Sequence, residues 1–188
     1  MPEAASVMTR IPRMHHNAYV TRDMAATRKF YEELIGLPLV ATWCESDVLF
    51  GKPRTYCHTF FALGDGSALT FFQFAEAGDQ RQFGPDIPSS PFVHLALAVD
   101  AATQAAIEKR LVDAGYQEPQ IYTLDHGYCR SFYVKDPNGL ILEFACDHPD
   151  AARINRNKVP TAHRDLLQWL EGNHASNNPF RAHEQPVG

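Results

Sequence analysis

Three residues of the right types for metal chemistry stand in places where a carboxylate or imidazole needs a reason. His16 and His94 each open a short apolar stretch, "HHNAYV" and "HLALAV". At a strand's period of two, His16 shares its face with Ala18 and Val20, and His94 with Ala96 and Ala98. Glu143 stands inside "LILEFA", between Leu142 and Phe144. An ionised carboxylate among aliphatic side chains costs several kcal/mol unless it is paired or coordinates a metal. Two neutral imidazoles and one carboxylate form the facial set that suits Fe(II) and leaves positions open for other ligands. The alternative use of Glu143 is an ion pair with a lysine or arginine across a sheet.

The elements that must position these residues repeat. "YCHTFFALGDGSALTFFQF" from Tyr56 and "YCRSFYVKDPNGLILEFAC" from Tyr128 each read as strand, glycine-containing turn, strand. Upstream of each comes a short strand, an aspartate and a helical stretch. Asp23 and Asp100 are the expected N-caps, Phe30, Leu34, Ile107 and Leu111 the inner faces, and Gly36 and Gly115 the stops. In the turn before Glu143, Asp136, Pro137 and Gly139 match a type I turn whose glycine closes a three-residue hairpin loop. That register sets Asp136 opposite Leu140 and Tyr133 opposite Glu143, on one face. A four-residue loop would turn Tyr133 to the other face.

The expected organisation is one domain over residues 1–148, with module one at about 12–76, a linker rich in Gly, Pro, Asp and Ser at about 77–91, and module two at about 92–148. Residues 149–188 form a C-terminal extension, with Thr161 capping a short helix whose Leu166, Trp169 and Leu170 make an apolar stripe before Gly172. The last fifteen residues are polar. The fold class is α+β.

A formal charge of −5 without a basic stripe argues against an electrostatic grip on nucleic acid or an anionic membrane. No apolar run reaches the roughly 20 residues of a bilayer span, and the N-terminus lacks the apolar core of a signal peptide, so a cytoplasmic protein with a small ligand is expected. Cys44, Cys57, Cys129 and Cys146 lack a C-x-x-C pair and are expected to be reduced.

These features together resemble the vicinal oxygen chelate superfamily, which includes glyoxalases, bleomycin resistance proteins and extradiol dioxygenases. In that family paired βαβββ modules curl into a mixed sheet, a cup around a divalent metal. The resemblance runs from about His16 to Asp147. Within it, His126, then Phe132-Tyr133, Asp136-Pro137-x-Gly139 and Glu143, resemble the signature of type I extradiol ring-cleavage dioxygenases, here in a one-domain form. Leu124 departs from the signature, which has Gly, Asn, Thr, Ile or Val there. The resemblance makes His16, His94 and Glu143 the metal ligands and His126 and Tyr133 the groups touching metal-bound substrate. "CHTFFA" is similar to the strand bearing the family's acid-base histidine, which makes His58 that residue. Phe60, Phe72 and Phe132 are candidates for the cup walls, with ordinary core as the alternative for most of the phenylalanines.

What the resemblance implies is an Fe(II) enzyme, with Mn(II) or another divalent metal as the variant, cleaving a small aromatic diol with O2. A homodimer is implied by the way relatives pair modules within or between chains. The alternatives are a glyoxalase-type isomerase or lyase and a ligand-sequestering resistance protein. Glyoxalase-like members take a further carboxylate from the first hairpin. Matching Gly66 to Gly139 puts Thr70 at that place, and matching without the one-residue gap puts Phe71 there, so the sequence favours three protein ligands.

Overall fold

The computed structural model describes residues 13–88 and 90–181. Most of the N-terminal stretch read for a signal peptide, His183 and the end of the polar tail lie outside the described residues. The chain divides into two compact units, one up to Asp86 and the other from Ile87 onward.

In the first unit, strand β1 (His16–Val20) leads into helix α1 (Met24–Arg28), capped by Asp23, whose Oδ1 accepts the Ala26 amide at 2.9 Å. The helix widens into a π-type turn, Lys29–Ile35, and stops at Gly36, whose φ of 94° is the left-handed value a C-cap glycine supplies. This widening corrects the sequence reading. Closure of the Gly36 amide onto the Tyr31 carbonyl, five residues back, carries the buried stripe from Phe30 and Tyr31 to Ile35 and leaves Leu34 only half-buried. Strands β2 (Leu39–Leu49), β3 (Lys52–Ala62) and β4 (Ala68–Phe74) follow, and the sheet order is β1-β4-β3-β2, with β1 parallel to β4. Tyr31 packs on Phe71 and Phe61, with ring centroids 4.7 and 5.5 Å apart. Each such fully buried ring contributes about 1.5–3 kcal/mol. A short helix α2 (Ala77–Phe83) begins the segment read as linker.

The second unit repeats the plan: β5 (His94–Ala98), α3 (Ala101–Asp113), β6 (Ile121–Asp125), β7 (Cys129–Lys135) and β8 (Ile141–Asp147), in sheet order β5-β8-β7-β6. Asp100 caps α3 by accepting the Thr103 amide at 2.7 Å. Ile107 and Leu111 are buried on the helix's inner face, as their spacing predicts. Phe132 and Phe144 stack at 6.5 Å, and both are buried. Phe132 therefore belongs to the core under the helix, on the face opposite Tyr133, and is not a wall of the site. Past β8 the chain forms α4 (Ala151–Lys158), which the sequence reading lacked, a 3₁₀ turn (Val159–Thr161) and α5 (Ala162–Leu170). The Thr161 hydroxyl bonds the Lys158 carbonyl and the Asp165 carboxylate instead of capping an amide, and Leu166, Trp169 and Leu170 are exposed. The two modules with their mixed sheets and the C-terminal helix are thus α+β. Among the described residues no helix is long and apolar enough to cross a membrane, and the four cysteines are free.

Candidate metal centre

The hairpin that presents Glu143 has the register the turn chemistry predicts. Asp136 and Leu140 close the loop (amide to carbonyl, 2.8 Å), Gly139 takes φ 90°, and Tyr133 pairs with Glu143. Glu143 is buried, and the basic side chain beside it among the described residues is an imidazole: Oε2 lies 2.8 Å from His94 Nε2. Its other oxygen, Oε1, accepts the Ser131 hydroxyl at 2.5 Å. No lysine or arginine pairs with it among the described residues, so the ion-pair alternative from the sequence finds no partner.

The hydrogen bonds decide what His94 can offer. Its Nδ1 lies 2.8 Å from the Pro91 carbonyl, which only accepts, so Nδ1 carries hydrogen and Nε2 turns its remaining position to Glu143. An imidazole lone pair facing a carboxylate oxygen at this distance requires a cation between them, a proton or a metal ion. Two ligands at right angles on an ion with bonds of about 2.1 Å lie about 3 Å apart. A carbonyl on Nδ1 and a hydroxyl on the carboxylate are also the outer partners that orient metal ligands. The residues present therefore fit a divalent ion.

Beside this pair lies a phenolic cluster. Tyr133 stacks on Tyr122 at 4.7 Å and meets the His94 ring edge-on at 5.7 Å. Burial, and after it the charge of Glu143, pushes the Tyr133 hydroxyl up to about 12, so it remains a hydrogen-bond donor at neutral pH. His126 Nε2 sits 3.1 Å from that hydroxyl. The Tyr122 hydroxyl is buried without a partner among the described residues. The His126 loop is held from outside: Asn178 donates to the His126 carbonyl at 3.1 Å, and the Phe180 carbonyl lies against Gly127, whose φ is 78°.

In the first unit His16 and His58 share one sheet face. Their ring centroids are 6.3 Å apart, and both adjoin Phe60. His58 stacks flat on Phe72 at 3.7 Å, and its Nε2 is buried without a partner among the described residues. Burial, with His16 nearby, lowers the His58 imidazole below its ordinary value, which leaves it neutral and able to take a proton. Phe60 and Phe72 line this face, as the sequence reading had them.

Strand registers fix which positions of the two units correspond. Ala18 faces Thr70 in β1–β4, and Ala96 faces Glu143 in β5–β8. His16 and His94 are thus equivalent, and Thr70 occupies the place of Glu143, with Phe60 in that of Tyr133 and His58 in that of Ser131. Phe71 is excluded from that place. Among the described residues no three His, Cys, Asp or Glu side chains are gathered into a metal site. Sequence reasoning missed Ser131 and Tyr122. The signal for Ser131 was available, since it lies two residues before Tyr133 on the same face; Tyr122 needed the β6–β7 register.

Comparison with known proteins adds the family. Residues 13–144 match the model of the Glyoxalase/Bleomycin resistance protein/Dioxygenase superfamily. Over 138 residues, 70% of this chain and 95% of the other, the sequence is 27% identical to the uncharacterized protein YwbC of Bacillus subtilis. A glyoxylase/bleomycin resistance protein/dioxygenase domain from Frankia sp. EAN1pec is similar in structure, with a TM-score of 0.56 at 15% identity, covering 74% of this chain and all (100%) of that one. So is a mutant of the fosfomycin resistance protein FosX of Listeria monocytogenes, complexed with Mn(II) and a dihydroxypropylphosphonic acid, with a TM-score of 0.54 at 14% identity over 77% of this chain and 99% of that one.

Proposed function

The chain belongs to the Glyoxalase/Bleomycin resistance protein/Dioxygenase superfamily, and from that premise we propose that it is a metal-dependent ring-cleavage dioxygenase acting on a small aromatic diol. The observation that supports this reading is the Tyr133–His126 hydrogen bond set directly beside the His94–Glu143 pair. A ligand set alone would serve any member of the superfamily. A protonated phenol and an imidazole next to it are what a bound diol's oxygens need.

The proposed ligands are His94 and Glu143, with His16 as the third by the resemblance and by its place on the equivalent strand. When bound, a divalent ion, Fe(II) in this reading and Mn(II) as its variant, supplies Lewis acidity toward two vicinal oxygens and a place for O2. The protein's own part is protonic and steric. With His126 donating from Nε2, the Tyr133 hydrogen is free for a substrate oxygen, and the pair stabilises negative charge developing there. His58, neutral and unpartnered at Nε2, accepts a hydroxyl proton. Phe60 and Phe72 offer flat apolar surface to a ring. As the resemblance implies, a homodimer is proposed, and equilibrium sedimentation tests it.

The likeness to FosX holding Mn(II) favours a second reading, a resistance enzyme of the same fold acting on a small non-aromatic molecule. Anaerobic loading with Fe(II) or Mn(II), followed by a panel of catechols in air, separates the two. Oxygen uptake with a yellow ring-fission product is the expected result. Failure to consume oxygen with every diol, alongside turnover of fosfomycin or of a thiol adduct of methylglyoxal, would overturn the dioxygenase reading.

A further inference from the structure

The first unit holds a cavity of about 250 Å³ that the proposed chemistry does not use, walled by Val20, Leu49, Phe50, Phe72, Phe74 and Phe83. Its lining among the described residues includes one charged side chain, Arg54. A guanidinium 4% exposed in apolar surroundings requires compensation, and the compensation here is incomplete. Arg54 Nε binds Asp79 Oδ1 at 3.2 Å, but Nη1, like the other Asp79 oxygen, Oδ2, is buried with no partner among the described residues. Asp79 is shared with Lys52, 2.6 Å away, and these two cations hold its carboxyl below the usual range. Two cations against one carboxylate leave the cluster one positive charge in excess. Asp47, the cross-strand neighbour of Arg54, turns its carboxylate to the Val48 amide.

The cavity's roof is held at a cost. Phe50 and Gly51 form a two-residue hairpin turn with φ of 50° and 84°. Such a turn wants Asn, Asp or Gly at both positions, and a bulky side chain at positive φ is strained. Phe50 keeps its place through its ring, which meets Phe83 at 5.7 Å while the Arg54 guanidinium lies 5.0 Å from the Phe83 centroid.

We propose that this cavity binds the carboxylate end of an arylalkyl ligand, the anion on Arg54 Nη1 and the hydrocarbon among the aromatic walls. An apolar cavity of about 150 Å³ holds benzene, so the volume here takes a ring with a short chain. A paired guanidinium–carboxylate geometry would neutralise the excess charge and satisfy the open donor. The cavity shares Phe72 with the face that carries His58, and Arg54 and His58 lie on the same side of β3, about 13 Å apart along the strand. That this anion belongs to the substrate rests on the ring-cleavage reading; that it binds does not.

Binding is therefore measured without turnover, by calorimetry on the full chain free of metal and oxygen, with hydrocinnamate and its uncharged amide as probes. Hydrocinnamate is expected to bind at least about tenfold more tightly than the amide, the ratio of a charge-assisted pair to a neutral one. Arg54→Met should erase that ratio, and Leu49→Trp, which fills the cavity and keeps every charge of the cluster, should weaken both probes together. Equal affinity of the two probes for the wild-type protein overturns the proposal, as does undiminished binding to L49W. Neither result depends on whether a catechol is cleaved.

Discussion

The two units run the same course and carry different side chains at the same positions. Each has a parallel pair at one edge of the sheet, a capped helix over one face and a hairpin across the other strands, and the registers match position for position. Yet the place that holds Glu143 in the second unit holds Thr70 in the first, and Ser131 and Tyr133 answer to His58 and Phe60. One unit offers a carboxylate held by a hydroxyl and flanked by phenols. The other offers a neutral imidazole on an aromatic face. The backbone thus sets addresses, and in the proposed function the side chains at those addresses take different roles.

The strongest way to break that comparison is to exchange the residues at the shared address. Glu143→Gln keeps the shape but loses the charge, and is expected to remove stoichiometric metal and lower turnover by more than about a hundredfold, beyond the 10–100-fold that outer partners cost. Metal analysis alongside kcat reads both. Thr70→Val should leave metal content unchanged. Thr70→Glu would bury a carboxylate beside His16 and His58, which stand where the second unit has His94 and Ser131, and a penalty of about 3–5 kcal/mol in denaturant unfolding is expected if neither imidazole pairs with it. If T70E were neutral in stability, one of these two imidazoles would be pairing with the new carboxylate, and the first unit could hold the same ion pair as the second.

Next in size is the base. His58→Gln should cost about 10²–10⁴ in kcat with metal retained. Since burial lowers the His58 imidazole, the acid limb of kcat/KM it controls lies below the ordinary value of 6.5, and activity is flat through neutrality. The same shift bears on stability. In the window below 6.5 the unfolded chain binds a proton that folded His58 refuses, so its contribution is complete above 6.5 and lost as pH falls. H58Q should flatten that part of the stability profile.

Smaller again is Ser131→Ala, which leaves Glu143 Oε1 without its donor and should weaken metal binding about 10–100-fold. A change confined to metal affinity, with the His58 acid limb unmoved, would sharpen the comparison.

What the sequence carried follows from where its information is local. Asp23, Asp100, Gly36 and the Asp136–Gly139 turn act within a few residues, and all stand where their chemistry puts them. From the turn, the pairing of Tyr133 with Glu143 followed by counting. The place of Leu34 did not, because a π-type turn shifts the stripe by one residue and no single residue type announces it. Phe132 as a wall ran against the strand alternation itself, since the neighbour of Tyr133 must take the opposite face. Arg54, Asp79 and Lys52 were out of reach: their cluster joins a hairpin to a helix over 25 residues on, in a segment read as linker.

The finest difference between the units lies at their two tight turns. Gly51 and Gly127 both sit at positive φ, 84° and 78°, but a Cβ on Gly51 would meet nothing within 4 Å whereas one on Gly127 would come within 2.1 Å of the Phe180 carbonyl. Gly51→Ala should therefore cost only the left-handed conformation, about 1 kcal/mol. Gly127→Ala pays the same and must also expel the segment that Asn178 ties to the His126 carbonyl. Its expected cost is about 2–3 kcal/mol, each kcal/mol lowering Tm by about 2–4 °C in a chain of this size. Removing residues 177–188 takes the obstacle away. In that background the two alanine variants should cost the same, and a surviving excess at Gly127 would show that the loop carrying His126 is held by something other than the C-terminal segment.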